Sequence, residues 1–218
     1  MLVLTVGHGA RPLDELIGML VDAGATRLVD VRRFPGSRRH PQFGRATLER
    51  AVPDAGIEYR HEPELGGRRS GEPGEEAFHC LRAAAFRSYA ARLARPEVQA
   101  ALARSLQAER PCFMCAETLW WRCHRRLIAE LLTARGHEVV HLLRPGASER
   151  HRLSDESEVR GGRLLLCGSP VGEPSGAVAG GQPRPEREPA HDEAARTETR
   201  SRIRGVSRTA TAPAAAFA

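Results

Sequence analysis

Five short apolar runs punctuate the N-terminal part of the chain, and segments of helical period lie between them. The runs are MLVLTVG (1–7), RLVDVR (27–32), the opening of IEYRHEPELGG (57–67), CFMCAE (112–117) and HEVVHLL (137–143). Between them, PLDELIGMLVDAG (12–24) sets apolar residues at 13, 16, 17, 20 and 21, a helical spacing that stops at Gly24. ATLERAVPDAG (46–56) reads as a short helix, 77–108 as helical with a break near Pro96, and WWRCHRRLIAELLTARG (120–136) as a helix stopped by Gly136. Strands this short and apolar, alternating with helices, predict a three-layer, Rossmann-like α/β domain with a mostly parallel sheet. Residues 151–168 are expected to add a small β hairpin or edge strand, and no internal repeat is present.

The remainder separates by composition. FPGSRRHPQFG (34–44) is a loop by its Pro and Gly content, and 68–76, rich in Gly, Arg and Glu, is expected to be a mobile surface loop. Residues 169–218 hold few large apolar side chains among many Pro, Gly, Ala, Ser, Thr and Arg. Such a segment buries too little to offset its ordering entropy, so a disordered tail is expected after a single domain at 1–168.

The net charge is +6, and every cation is Arg, since the chain has no Lys. That removes Schiff-base and P-loop lysine chemistry. The charge alone is too modest to establish nucleic-acid binding. The opening MLVLTVGHGARP lacks a basic n-region, its apolar run is short for a signal peptide, and no stretch approaches a spanning helix. The expectation is a soluble, cytoplasmic protein without a membrane partner, its five cysteines reduced rather than joined as a disulfide framework.

Ligands of parallel sheets bind beyond the carboxyl ends of the strands. The residues expected there are His8, then Asp30 to Arg33, then Glu64 to Gly67, then Cys115 to Glu117. CAETLWWRCHRR (115–126) holds two cysteines, a carboxylate, a histidine and three arginines. Strand alternation puts Cys115 and Glu117 on one face and Cys112 on the other, which weakens a zinc reading of CFMC. Cys123 and His124 lie one turn before Leu127 and Ile128, on the same inward helical face. Three readings of this cluster stay open beside plain packing. One is a zinc or iron site from Cys115, Cys123 and His124. Another is a thiolate at a helix start, lowered by neighbouring Arg. The third is an anion site built on Arg125 and free N–H groups.

The second cluster, LVDVRRFPGSRRHPQFGR (28–45), carries five arginines and His40 from 32 to 45, with no acid. Guanidiniums grip phosphates in pairs of hydrogen bonds, and Phe34 or Phe43 could stack a base. Arg32, Arg33, Ser37, Arg38 and Arg39 are the candidate phosphate or nucleic-acid contacts, with Arg125. Asp30 at an apolar strand end needs partners. His8, in a glycine turn, is a candidate acid or base, and Glu64 is preferred over Glu62 for the cleft.

Taken in order, TVGHG, LVDVRRFPGSRRHPQF, HEPELGG, FRSYA and CAETLWWRCHRRLIAE resemble the prokaryotic domain of unknown function family 488 over roughly residues 2–167. Asp30, Arg32, Pro35, Ser37 and Arg38 match its first signature; Cys115, Glu117, Cys123, His124 and Arg125 match its C-terminal one. Gly9 departs from a frequent Ser, and Trp120–Trp121 fill a usually polar spacer. The resemblance implies an α/β fold and a shared polar site, and no reaction. A fainter likeness joins the VDVR strand and a cysteine before a helix to rhodanese-type sulfurtransferases. The leading expectation is an enzyme with an Arg-rich cleft acting on a phosphate-bearing small molecule or nucleic acid. Its acid or base would be Glu117, Asp30 or His8. The alternatives are a non-catalytic nucleic-acid-binding module, and thiol or metal chemistry at Cys115 and Cys123.

Overall fold

A computed structural model describes residues 1–36, 39–67 and 70–172. Its centre is a six-stranded sheet ordered β3-β2-β4-β1-β5-β6. The strands are β1 (Leu2–Gly7), β2 (Arg27–Asp30), β3 (Glu58–His61), β4 (Pro111–Cys115), β5 (Glu138–Arg144) and β6 (Ala147–Arg150). Only β6 runs antiparallel, as a hairpin with β5. The mixed α/β fold with a mostly parallel sheet is therefore as the alternation of apolar runs predicts.

Strand alternation sends successive side chains into two separate cores. On one face Leu4, Val6, Leu28, Cys112 and Met114 pack against Leu16, Met19 and Leu20 of α1 (Leu13–Asp22) and Leu48 and Val52 of α2 (Arg45–Asp54). On the other face Val3, Val29, Val31, Phe113 and Cys115 pack against α3 (Ala84–Leu93), α4 (Pro96–Ser105) and α5 (Arg125–Ala134). The layers are thus helix, sheet, helix. Cys112 and Cys115 belong to different cores, as the alternation requires.

Several boundaries differ from expectation. The break expected near Pro96 is present, since Pro96 has no N–H and starts α4 instead of continuing α3, but α3 begins only at Ala84, after a 3₁₀ turn at Glu75–Phe78. The helix expected at 120–136 begins only at Arg125; a 3₁₀ turn, Trp120–Arg122, precedes it, and Cys123 is extended at φ −122°. The 68–76 segment is not a free loop over its described part, since buried Glu72 pairs with Arg92 and Arg95; Arg68 and Arg69 lie outside the described residues. After β6, three short antiparallel strands form a second sheet: β7 (Ser157–Arg160), β8 (Arg163–Leu166) and β9 (Ser169–Val171). Leu164, Leu166 and Val171 bury against the α3–α5 core, so the folded part continues past residue 168. The remainder of the expected disordered tail, 173–218, lies outside the described residues.

One expectation is corrected outright. Cys80 and Cys167 form a disulfide with a Cα–Cα distance of 5.6 Å, tying β8 to the segment before α3. Cys167 turns at φ 56° to bring its sulfur there, a pairing that spacing alone does not reveal. Cys112, Cys115 and Cys123 remain free thiols. No helix among the described residues is long and apolar enough to cross a membrane.

Candidate functional site

The carboxyl ends of β1 and β4 are neighbours, and their chains leave toward opposite faces, β1 to α1 and β4 to α5. Such a divergence normally opens a crevice. Here the segment after β4 fills it. His8 N–H donates to the Cys115 carbonyl at 2.9 Å and Gly9 N–H to that of Ala116 at 3.1 Å. A Cβ on Gly7 would lie 1.9 Å from the Glu117 carbonyl oxygen, so this approach requires glycine. The segment continues to β5, where Trp120 stacks on His141 at 4.2 Å, and then returns so that Cys123 meets Cys115.

At that meeting point the two sulfurs are 2.8 Å apart, and Arg125 Nε donates to Cys115 Sγ at 3.0 Å. The Glu117 N–H also points at Cys115 Sγ, at 3.3 Å. Arg125 is 1% exposed. Its other N–H groups go to Thr5 Oγ1 at 3.1 Å, to the Glu117 carbonyl, and to the Thr118 carbonyl at 3.5 Å. None of these partners is a carboxylate. A buried guanidinium requires a counter-charge, and among the described residues the groups beside it able to carry one are the sulfurs of Cys115, its direct partner, and Cys123. Burial pushes the Cys115 thiol up, but the Cys123 hydrogen bond, the Arg125 charge and the Glu117 N–H outweigh it and hold it at about 6. Cys123 is pushed the other way, by its hydrogen bond to Cys115, by burial and by the Cys115 charge. The two shifts run in opposite directions and favour a thiolate on Cys115 beside a thiol on Cys123.

His124 caps α5. Its Nδ1 stands 3.5 Å from Cys123 Sγ, and its Nε2 is buried without a partner. Burial, then the charge of Arg125, lowers it to about 3, so it is neutral. Gly67 presses against the ring: a Cβ there would come within 2.7 Å of Nδ1. Tyr89 meets the ring edge-on at 5.0 Å, while its hydroxyl donates to the Leu65 carbonyl at 2.7 Å. These contacts place the HEPELGG turn on the Cys123–His124 step.

As a metal site the cluster is poorly arranged. Two thiolates on one tetrahedral zinc stand about 3.8 Å apart, from Zn–S bonds of about 2.3 Å, against the 2.8 Å found. Among the described residues no three His, Cys, Asp or Glu side chains gather to hold an ion.

Among the described residues of the Arg-rich loop, Arg33 packs against Gly66, next to the Gly67 that presses on His124, while Asp30 and Arg32 turn away from the cysteines. Asp30 and Arg32 lie on the opposite face of the sheet, with α1 and α2. There Arg32 Nε and Nη2 grip Asp30 at 2.8 and 2.5 Å, and Nη2 also reaches the Phe43 carbonyl at 2.8 Å. The Tyr59 hydroxyl donates to Asp30 at 2.8 Å. Arg32 Nη1 donates to His8 Nε2 at 3.1 Å, which leaves the ring proton on Nδ1 for the Gly9 carbonyl at 2.9 Å. Burial lowers His8 to about 4, and the ring stacks on Phe43 at 4.2 Å. This network is internally satisfied, so Asp30, Arg32 and His8 hold the loop rather than offer free groups. Arg33 and Arg39 are exposed, and Arg33 lies 4.9 Å over the ring of Phe34, itself 68% exposed. Ser37 and Arg38 lie outside the described residues. Glu117 is exposed, and its carboxylate accepts from its own Leu119 N–H at 3.1 Å rather than facing the sulfurs. Glu62, not Glu64, is the buried acid, held by Arg60 and Arg104. Glu64 is half-buried.

Sequence reading missed the groups behind Arg125. Thr5 Oγ1 lies 2.7 Å from His141 Nδ1, and His141 Nε2 lies 3.0 Å from His151 Nδ1. His151 Nε2 faces Glu130 Oε2 at 3.8 Å. Burial, then the neighbouring His151 and Arg125, lowers His141 to about 3. One pattern fits the distances: Thr5 O–H donates to His141 Nδ1 and His141 Nε2–H to His151 Nδ1, which leaves His151 Nε2–H facing Glu130 Oε2 at 3.8 Å without a hydrogen bond. The available signal was the placement of Thr5 and His141 inside apolar strands, where a polar side chain must find a partner.

The fold and this centre define an α/β domain with a guanidinium-bound cysteine pair buried at the carboxyl end of a central parallel strand. The chain belongs to the family described as Domain of unknown function DUF488, whose match covers residues 12–132. No curated protein and no solved structure matches it.

Proposed function

We propose that the chain is a thiol enzyme in which Cys115 is the nucleophile. The observation that carries this is the Arg125–Cys115 pair: a buried guanidinium whose counter-charge, among the described residues, is a sulfur. A thiolate present at neutral pH is the nucleophilic form of cysteine. The Glu117 N–H and the Cys123 thiol add two donors to the same sulfur. Cys115 is 3% exposed and directly precedes the exposed Ala116–Thr118 segment. Iodoacetamide labelling across pH, mapped to individual cysteines, tests the reading. Cys115 should alkylate with a midpoint near pH 6, whereas Cys112, which burial pushes up to about 12, should not react. Labelling of Cys115 only above pH 8 refutes it.

A second reading concerns the exposed loop after β2, where Arg33 stacked on Phe34 presents a cation and an open aromatic face. That combination suits a phosphate-bearing ligand, a nucleotide or a nucleic acid. Arg33→Ala and Phe34→Ala should each weaken binding of a single-stranded oligonucleotide, and affinity should fall steeply with salt. Salt-independent or unchanged binding removes this reading and leaves the thiol reading intact.

A further inference from the structure

Resting on the nucleophile reading above, the geometry points to a narrower activity: we infer that Cys115 and Cys123 form a dithiol pair that exchanges with disulfide substrates, Cys115 attacking and Cys123 resolving. The two sulfurs already touch at 2.8 Å, and a disulfide bond of about 2.0 Å needs under an ångström of closure. They sit on different kinds of backbone, the end of β4 and an extended residue outside α5. The Cys123 carbonyl accepts the Arg126 N–H at 2.9 Å, so the closure falls to the Cys123 side chain rather than to its backbone. No other free thiol competes, because Cys112 belongs to the core on the opposite face.

The chemistry balances within the pair. Cys115 thiolate attacks one sulfur of R–S–S–R′; that bond breaks, and its electron pair leaves on R′S⁻. Cys115 is then neutral, bound to RS. Cys123 loses its proton and attacks Cys115 Sγ, the mixed disulfide breaks, and RS⁻ departs and takes up that proton. The cysteines lose two electrons and the substrate gains them, leaving as one thiolate, R′S⁻, and one thiol, RSH. A second dithiol reductant returns the pair to its starting state.

Arg125 makes the second step accessible. While Cys115 is anionic, its hydrogen bond and its charge hold Cys123 protonated. Once Cys115 carries RS, both influences vanish, and Arg125 is left beside Cys123 without a counter-charge. The guanidinium then favours the Cys123 thiolate, as it does the first. The cation is handed from one sulfur to the next.

The test uses the full chain and an aromatic disulfide, 5,5′-dithiobis(2-nitrobenzoate), at pH 6.5, with peptide mapping. Cleavage after Arg122 separates Cys115 from Cys123 and so identifies a link between them. Wild-type protein should release two thionitrobenzoate equivalents from the pair and carry a Cys115–Cys123 disulfide with no label retained. Cys123→Ser should release one and keep the mixed disulfide on Cys115. Wild-type protein that keeps the label on Cys115 with Cys123 free overturns the resolving role while sparing the nucleophile. Failure of Cys115 to react in either protein overturns the nucleophile reading, and this inference with it.

Discussion

Arg125 Nε stands 3.0 Å from the Cys115 sulfur, and the other partners of that guanidinium are a hydroxyl and two carbonyls, never a carboxylate. The sulfur and the cation therefore stabilise each other's charged forms. Replacing Arg125 with Met keeps much of the volume and removes the charge. Cys115 then keeps the upward push of burial and loses its main counterweight besides Cys123. Its alkylation rate at pH 6.5 should fall by about tenfold or more, since one pKa unit is about 1.4 kcal/mol. Circular dichroism establishes that the variant is folded. A folded variant that alkylates at the wild-type rate contradicts the pairing.

The same pair ties stability to pH. Cys115 is held at about 6 in the fold against its ordinary 9.0. A folded value below the unfolded one means stabilisation that is complete above about pH 9 and is lost as pH falls to about 6. Inside that window the contribution changes by about 1.4 kcal/mol per pH unit. Urea titrations of wild type and Cys115→Ala, subtracted at each pH, isolate the term. The difference should widen from pH 6.5 to 8.5, and a flat difference would mean the sulfur is a neutral thiol in the fold.

Much of the fold was legible in the sequence, because short apolar runs and helical spacing report burial directly. The sides of the sheet followed too: alternation alone separates Cys112 from Cys115. The site was legible only by residue. CAETLWWRCHRR holds the buried cysteine pair, whereas Asp30 and Arg32 of DVRRFPGSRR turn to the other face of the sheet. Asp30 and Cys115 sit at neighbouring strand ends on opposite faces, and the relation between two strands depends on strand order, which no local pattern encodes. Arg32 and Arg125 looked like free phosphate ligands because sequence shows a charge and not its partner. Thr5, His141, His151 and Glu130 went unread for the same reason: their network joins residues up to 136 positions apart. The Cys80–Cys167 bridge, across a separation of 87, is another long-range pairing of that kind.

Gly67 is a specific steric requirement. A Cβ there would sit 2.7 Å from His124 Nδ1 and 2.9 Å from its Cγ, closer than real contacts allow. The ring is confined on its other side by Tyr89 and cannot step back freely. Gly67→Ala should cost about 1–3 kcal/mol by overpacking and should shift the labelling midpoint of Cys115, because His124 adjoins Cys123. A melting temperature within experimental error of wild type would show that the turn yields.

The Cys80–Cys167 bridge joins the second sheet to the α3 side of the core. Cys80→Ser should lower stability by about 2–5 kcal/mol, as for other native disulfides, with little change in Cys115 labelling, since the bridge makes no contact with that sulfur in the hydrogen-bond network. Equal melting temperatures with and without the bridge would show that it does not constrain the native fold.

Glu130 anchors the polar chain that ends on Arg125. Its carboxylate accepts from Ser154 N–H at 3.2 Å and Ser157 O–H at 2.8 Å, and faces His151 Nε2 at 3.8 Å. Burial pushes Glu130 up, but the neighbouring His151 and the hydrogen bonds from Ser157 and Ser154 outweigh it and bring it below its ordinary value. An anion there favours the His151 proton on Nε2, the nitrogen that faces it, so that His151 Nδ1 accepts, His141 donates from Nε2, and Thr5 donates to His141 Nδ1. Thr5 Oγ1 then presents a lone pair to Arg125, which fixes the guanidinium plane on Cys115. Glu130→Gln removes the anion that sets this order. It should cost about 1–3 kcal/mol, and the wild-type loss of stability on acidification through the Glu130 range should shrink in the variant. Nitrogen-detected NMR of the two rings checks the order directly. Both should carry the proton on Nε2 in the wild type, and the variant should lose that preference. A wild-type His141 protonated on Nδ1 would reverse the chain and detach Glu130 from the orientation of Arg125.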